Sequence, residues 1–161
     1  MIILLMGVSG SGKTTIGRLL SRELGWSFYE GDELHAPANV EKMSRGLPLT
    51  DADRLSWLES LRDLIDRCVR RGESAVIACS ALKKAYRRIL QGGHPEVVFV
   101  HLKADPRLIA DRLKRRVGHF AGPVLLASQL ATLEEPEHAL AVDVSGDPEQ
   151  IVATIRRGLG I

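Results

Sequence analysis

Apolar positions along this chain fall into two rhythms. Ile2 to Met6, Ala75 to Cys79 and Val97 to Leu102 are short unbroken runs, the pattern of strands buried on both faces. Trp26 to Tyr29 and Ala141 to Val144 read as two shorter strands. Between these runs the apolar positions recur every three or four residues. Ile16, Leu19, Leu20 and Leu24 trace one helical stripe, closed by Gly25. Leu55, Leu58, Leu61, Leu64, Ile65, Cys68 and Val69 trace a second. Thr50 opens it with Asp53 three residues on, and Arg70, Arg71 and Gly72 close it. Ser80 to Leu90 reads as a basic helix ending before Gly92-Gly93. Asp105-Pro106 and Asp147-Pro148 each set a capping carboxylate before a first-position proline. The second opens a final helix with Ile151, Val152, Ile155 and Leu159 on its apolar face. Gly118 breaks the first, His119 to Pro123 reads as a loop, and Val124 to Leu133 as a further helix.

Strands alternating with helices predict a parallel sheet of about five strands covered on both faces, an α/β/α three-layer fold. At 161 residues the chain is long enough for one domain with one core, spanning 1–161. The stretch from Glu33 to Asp51 fits neither rhythm. It is polar, broken by Pro37, Gly46 and Pro48, and long for a connector, with a short helix around Val40 to Arg45. Such segments are usually functional.

The first strand runs straight into Gly7-Val-Ser-Gly-Ser-Gly-Lys-Thr14, and the first helix runs out of it. The spacing is that of a phosphate loop, G-x-x-x-x-G-K-[ST], in the strand–loop–helix context the motif requires. Gly7, Gly10 and Gly12 allow successive N–H groups to turn inward around an anion, with Ser9, Ser11 and Thr15 in the same stretch. The helix adds the positive end of its dipole. Lys13 can reach the outer phosphates, and the Thr14 hydroxyl can ligate Mg²⁺. The fold is therefore of the P-loop NTPase class, and the donor is a nucleoside triphosphate. In such sheets ligands sit at the C-terminal ends of the strands. That rule gathers Gly7–Thr14, Glu30–Asp32, Cys79–Lys83 and the Lys103–Asp105 turn on one rim.

Formal charge is +2, too small to argue for nucleic acid. The basic cluster at 112–116 contains no aromatic residue and that at 83–88 only Tyr86, too few to form a run of stacking platforms. Cys68 and Cys79 lack a C-x-x-C spacing, which points to a reducing compartment. The N-terminal apolar run of five residues is too short for a signal peptide or a span, so a cytoplasmic protein without a membrane partner is expected.

Three clusters narrow the chemistry. Asp32, just past the second strand, can accept a proton from an attacking hydroxyl, hold that hydroxyl, or bind Mg²⁺ through water, with His35 beside it. Ser80, Lys83, Tyr86 and Arg87 leave the third strand as a group able to bind an anionic small molecule. Arg112 and Arg116 share a helix face ahead of Gly118-His119-Phe120 and suit a lid, over about 112–136, that neutralises a transferring phosphate. Arg45, Arg54 and Arg87 come from separate segments and can pair with a carboxylate. Asp51 and Asp53 can accept from sugar hydroxyls, or Asp53 can simply complete the helix cap. Trp57 fits a core face better than a stacking role.

In these stretches the chain resembles the gluconokinases of the short, P-loop type, relatives in fold of shikimate and adenylate kinases. The matching segments are Met6 to Thr14, Gly31-Asp-Glu-Leu-His35, Asn39-Val-Glu-Lys-Met43, Gly46 to Arg54 with Trp57-Leu58, Cys79-Ser-Ala-Leu-Lys83 with Tyr86-Arg87, Arg116-Val-Gly-His-Phe120, and Leu126-Ala-Ser-Gln129. The resemblance implies ATP- and Mg²⁺-dependent phosphorylation of D-gluconate at its 6-hydroxyl by a homodimer. It places Lys13 and Thr14 on phosphate and metal, and Asp32 by the sugar hydroxyl and metal. His35, Lys42, Arg45, Asp51, Arg54, Lys83, Arg87, His119 and Gln129 fall in the gluconate site, within a substrate-binding region over about 33–54 and beyond it. Arg112 and Arg116 fall near ATP. Glu30, Ser56, Ala121 and Leu130 depart from the family pattern, which usually has Asp, Pro, Met and Phe there, and the chain is slightly short around the lid. Another small-molecule kinase of this fold, for shikimate or a nucleoside monophosphate, and a non-catalytic ATP-binding module remain as alternatives. A guanine-selective Asn-Lys-x-Asp motif is excluded, because Val40 follows Asn39, the only asparagine.

Overall fold

A computed structural model of the chain describes residues 1–115 and 122–161. Five strands, β1 (Ile2–Met6), β2 (Ser27–Glu30), β3 (Ala75–Ala78), β4 (Val97–Lys103) and β5 (Ala139–Asp143), pair in parallel in the order β2-β3-β1-β4-β5. Ile2 lies opposite both Ala75 and Val97, so the strand ends line up across the centre of the sheet. From β1 the chain goes to the edge strand β2, returns inward to β3 beside β1, then crosses to β4 on the other side. That reversal opens a crevice at the C-terminal end of β1, where α/β folds bind ligands.

The helices are α1 (Lys13–Leu24), α2 (Pro37–Ser44), α3 (Asp51–Arg70), α4 (Lys84–Gln91), α5 (Pro106–Arg115), α6 (Gly122–Thr132) and α7 (Pro148–Leu159). The period of two along β1 sorts the core into layers. Ile2, Leu4 and Met6 pack with Trp57, Leu61 and Ile65 of α3 and Leu90 of α4. Ile3 and Leu5 pack with Ile16 and Leu20 of α1 and Ile151, Val152 and Ile155 of α7. A third, smaller cluster of Val8, Leu82, Ile109, Leu113 and Leu126 seats α5 and α6 over the rim. Among the described residues no helix is long and apolar enough to cross a membrane.

Most boundaries follow the sequence pattern, and the exceptions are local. Leu55 is 51% exposed on the outer face of α3. The buried stripe instead starts at Trp57. The helix expected from Ser80 begins at Lys84, because the preceding carbonyls are engaged elsewhere. Ser80 O accepts from Gly7 N, and the carbonyls of Ala81 and Leu82 accept from the Arg87 guanidinium. β5 begins at Ala139 rather than Ala141, while Val144 N still reaches Lys103 O at 2.8 Å. Thr50 and Asp53 form the expected capping box on α3. Asp147 sits at the start of α7 without a side-chain cap bond.

Candidate active site

The phosphate loop bridges the end of β1 and the start of α1. Gly10 has φ +82°, and a Cβ there would stand 2.9 Å from Leu113 Cγ, so the loop needs glycine both for its turn and for the seating of α5 upon it. The Lys13 ammonium donates to Gly7 O and Val8 O, both at 3.0 Å. A cleft of about 360 Å³ opens beside the loop. Its walls include Gly12, Thr15 and Ile16, then Arg112 and Arg115 of α5, and Gly146 with Pro148 ahead of α7. Arg112 reaches across this cleft to Val144 O at 2.6 Å.

On the other side of the loop stand two carboxylates. β2 ends at Glu30 and passes into a 3₁₀ turn over Gly31–Leu34. Gly31 packs so tightly on the end of β3 that a Cβ would lie 2.5 Å from Ala78 O. This contact delivers Glu30 and Asp32 to the rim. Thr14 Oγ1 donates to Glu30 Oε2 at 2.7 Å. Burial pushes the Glu30 carboxyl upward, opposed by the Thr14 hydrogen bond. Asp32 is exposed, close enough to Glu30 and His35 to act on the ionisation of both. The rim rule places Glu30 beside the phosphate loop, but the pairing with Thr14 that gives it a role needs β2 and α1 side by side. The available signal was the place of Glu30 two residues before Asp32, at a strand end on the same rim.

The third group gathers at the start of α3. Asp51, Arg54 and Trp57 are spaced at three residues and share one face. The Lys83 ammonium sits 2.8 Å from Asp51 Oδ1, and the Tyr86 hydroxyl donates to the same oxygen. The Arg54 guanidinium lies 5.9 Å from the centre of the Tyr86 ring and donates to Leu49 O. His35 stacks on Trp57 with centroids 4.6 Å apart and planes within 11°. Trp57 is 1% exposed, as a core residue should be, and its Nε1 donates to Gly31 O at 2.8 Å. The ring is thus both core and platform.

The structure therefore brings together Lys13, Thr14, Asp32, His35, Asp51, Arg54 and Lys83. It places others differently from the sequence expectation. Lys42 spans both oxygens of Asp53, at 2.8 and 3.0 Å, and fastens α2 to α3. With the Thr50 cap, that ammonium holds the Asp53 carboxyl down at about 2, so Asp53 is a cap and a fastener. Arg45 is 69% exposed on its side chain, 4.0 Å from Glu41. Arg87 is 8% exposed and, among the described residues, donates to the backbone carbonyls of Ala81, Leu82 and Glu134. Gln129 Oε1 accepts from Ser9 N at 2.5 Å, on the phosphate loop rather than among the sugar-site cations. Arg116, Gly118 and His119 lie outside the described residues; of the loop expected over His119–Pro123, Gly122 and Pro123 are described and already belong to α6.

Two histidines give the molecule a pH signature. Burial lowers the pKa of His35 and of His101, which lies at the rim end of β4 with Nδ1 3.6 Å from Glu135. A depressed folded pKa means the unfolded chain binds more protons below about pH 6.5, so stability falls as pH falls through the folded values. Glu30, raised by burial, acts in the opposite sense, one group against two. The acids held low, Asp51, Asp53, Asp66, Glu73, Glu137 and Asp143, lose their contribution only below about pH 4. The melting temperature is expected to drop between pH 7.5 and pH 5, with a smaller slope in His101→Gln. A flat profile over that range would contradict the burial of both rings.

Residues 2–136 match the family model described as "AAA domain". The chain is 52% identical over 146 residues to the gluconokinase of Gluconobacter oxydans (strain 621H), covering 90% of this chain and 82% of that one. Two solved structures are also similar. An unliganded sugar kinase from Janibacter sp. HTCC2649 superposes with a TM-score of 0.92 at 45% identity, covering 99% and 94% of the two chains. A gluconokinase from Sinorhizobium meliloti 1021 superposes with a TM-score of 0.87 at 42% identity, covering 98% and 90%.

Proposed function

The chain belongs to the gluconokinase family, and from that premise we propose that it transfers the γ-phosphoryl group of ATP to the 6-hydroxyl of D-gluconate, giving 6-phosphogluconate and ADP. One observation carries the reading: a phosphate loop, an acid pair and a cation cluster meet on one rim. ATP lays its phosphates over the N–H groups of residues 9–15, and its nucleoside takes the cleft between α5 and the turn before α7. Lys13 leaves the loop carbonyls for the outer phosphates. Arg54 and Lys83 supply the positive charge that a sugar-acid carboxylate needs. Asp51 and His35 are placed for its hydroxyls.

The new bond forms between the 6-oxygen and the γ-phosphorus as the bridge to the β-phosphate breaks. Asp32 accepts the proton that the hydroxyl gives up. The donor set suits Mg²⁺. Thr14 donates its proton to Glu30, which leaves the hydroxyl lone pairs for a cation, and Glu30 and Asp32 offer oxygens for its water shell. Among the described residues no three acidic, histidine or cysteine side chains form a cage. When bound, Mg²⁺ neutralises charge developing on the β- and γ-phosphate oxygens. The reading includes a cytoplasmic homodimer, in keeping with the family resemblance.

A coupled ADP-release assay with gluconate, shikimate and AMP tests the acceptor. Gluconate is expected to be turned over well above the other two. Turnover of shikimate or AMP without gluconate would move the acceptor within the same fold. No release with any of them would leave a nucleotide-binding module.

A further inference from the structure

Arg87 stands apart from the other cations of the rim. It is buried, and it is fixed by two separate segments of chain. Nη1 donates to Ala81 O at 3.0 Å and Leu82 O at 2.9 Å, and Nη2 donates to Glu134 O at 2.9 Å. Ala81 has φ +42°, a left-handed backbone conformation that costs a side-chain-bearing residue and persists only when its surroundings fix it. The guanidinium is one of those constraints. Around it the two segments bond to each other as well. Glu134 N donates to Leu82 O at 3.0 Å, and Glu134 Oε2 accepts from Lys84 N at 2.5 Å, capping α4 from across the chain.

Each segment leads to a different ligand group. The 80–84 turn carries Lys83 to Asp51 on the sugar side, and its Ser80 O accepts from Gly7 N of the phosphate loop. Glu134 is two residues past the end of α6, and α6 carries Gln129, whose carbonyl is bonded to Ser9 N on that same loop. A γ-phosphate that claims the Ser9 N–H competes directly with Gln129. We propose that Arg87 is a positioning residue: it joins the exit of α6 to the Ala81–Lys83 turn, so that release of Gln129 by nucleotide is felt at the sugar-acid site. A forked donor suits this joint. Lysine keeps the charge but presents one compact ammonium, which cannot hold three carbonyls from two segments in the same geometry.

The gluconate half of the test rests on the activity proposed above; the nucleotide half does not. In the first half, the dissociation constant for gluconate is measured with and without a non-hydrolysable ATP analogue, in the wild type, Arg87→Met and Arg87→Lys. The wild type is expected to bind gluconate at least about fivefold tighter with the analogue, a coupling of ordinary size. In both variants that ratio should fall toward one. In the second half, amide exchange of residues 80–84 is followed in the wild type with the analogue alone. Exchange there is expected to change, whatever the acceptor and whether or not the variants fold. A merely structural arginine would lower the melting temperature and leave the ratio intact. An undiminished ratio in a folded Arg87→Lys protein, no coupling in the wild type, or unchanged exchange at 80–84 would each overturn the proposal. Failure of the wild type to turn over gluconate would instead refute the acceptor, leaving the exchange result to decide the joint.

Discussion

Replacing Asp32 with alanine is expected to lower kcat by about 10²–10⁴, the range for a positioned acid–base group, or roughly 3–5 kcal/mol of barrier. ATP affinity should change little. The groups assigned to the phosphates, the loop N–H donors and Lys13, lie on a different segment from Asp32. The carboxylate is exposed on a 3₁₀ turn, so its removal leaves no cavity and should cost little stability. Asp32→Asn separates its possible duties. Asparagine keeps an oxygen that can hold a hydroxyl but cannot take its proton. Activity restored by asparagine would make Asp32 a hydroxyl holder; a loss matching alanine would assign it the proton or the metal's water shell. Unchanged turnover in Asp32→Ala would remove the residue from the mechanism altogether. Steady-state kinetics with both substrates varied reads all three outcomes.

The parts of this fold that follow from short-range rules were legible before any coordinates. β1, the phosphate loop and α1 are fixed by an apolar run, three glycines and one amphipathic stripe, and Gly25 closes α1 in the left-handed conformation expected of it. The capping box of α3 is equally local. The residues that were harder to place are those whose partners come from far along the chain. Arg87 reads as a cation available to a ligand, and only the fold brings Glu134 O to it, 47 residues away. Lys42 reads the same way until α2 folds back on Asp53. Gln129 reaches Ser9 across 120 residues. A side chain's charge is visible in the sequence. Whether that charge is already committed is a tertiary fact, and no periodicity encodes it. Glu30 illustrates the converse. Placed on the rim by its strand end and read as a departure from a pattern, it becomes a partner of Thr14 once β2 and α1 are set side by side.

Trp57 is where fold and site depend on the same atoms, and Trp57→Ala carries the largest expected loss of stability. The indole is among the largest side chains fully buried in the protein. Truncating a buried Trp to Ala costs about 3–5 kcal/mol. That is a large share of the 5–15 kcal/mol typical of a whole domain. Urea titration should register it directly. A loss below about 1 kcal/mol would mean that the ring is not a core element after all. Trp57→Phe isolates the second role of the residue. Phenylalanine keeps an aromatic face for His35 but has no N–H for Gly31 O, so one buried hydrogen bond is lost, at about 0.5–1.5 kcal/mol. Gly31 is the residue before Asp32, so the same lost bond loosens the turn that positions the carboxylate. Trp57→Phe should therefore be milder than alanine in stability, yet raise the gluconate KM several-fold or lower kcat, with the ATP KM nearly constant. Equal effects on both substrates would argue for general loosening of the domain. An effect confined to the sugar side would mean that a core tryptophan, through one hydrogen bond and one stacked ring, sets the geometry of the acceptor half of the site.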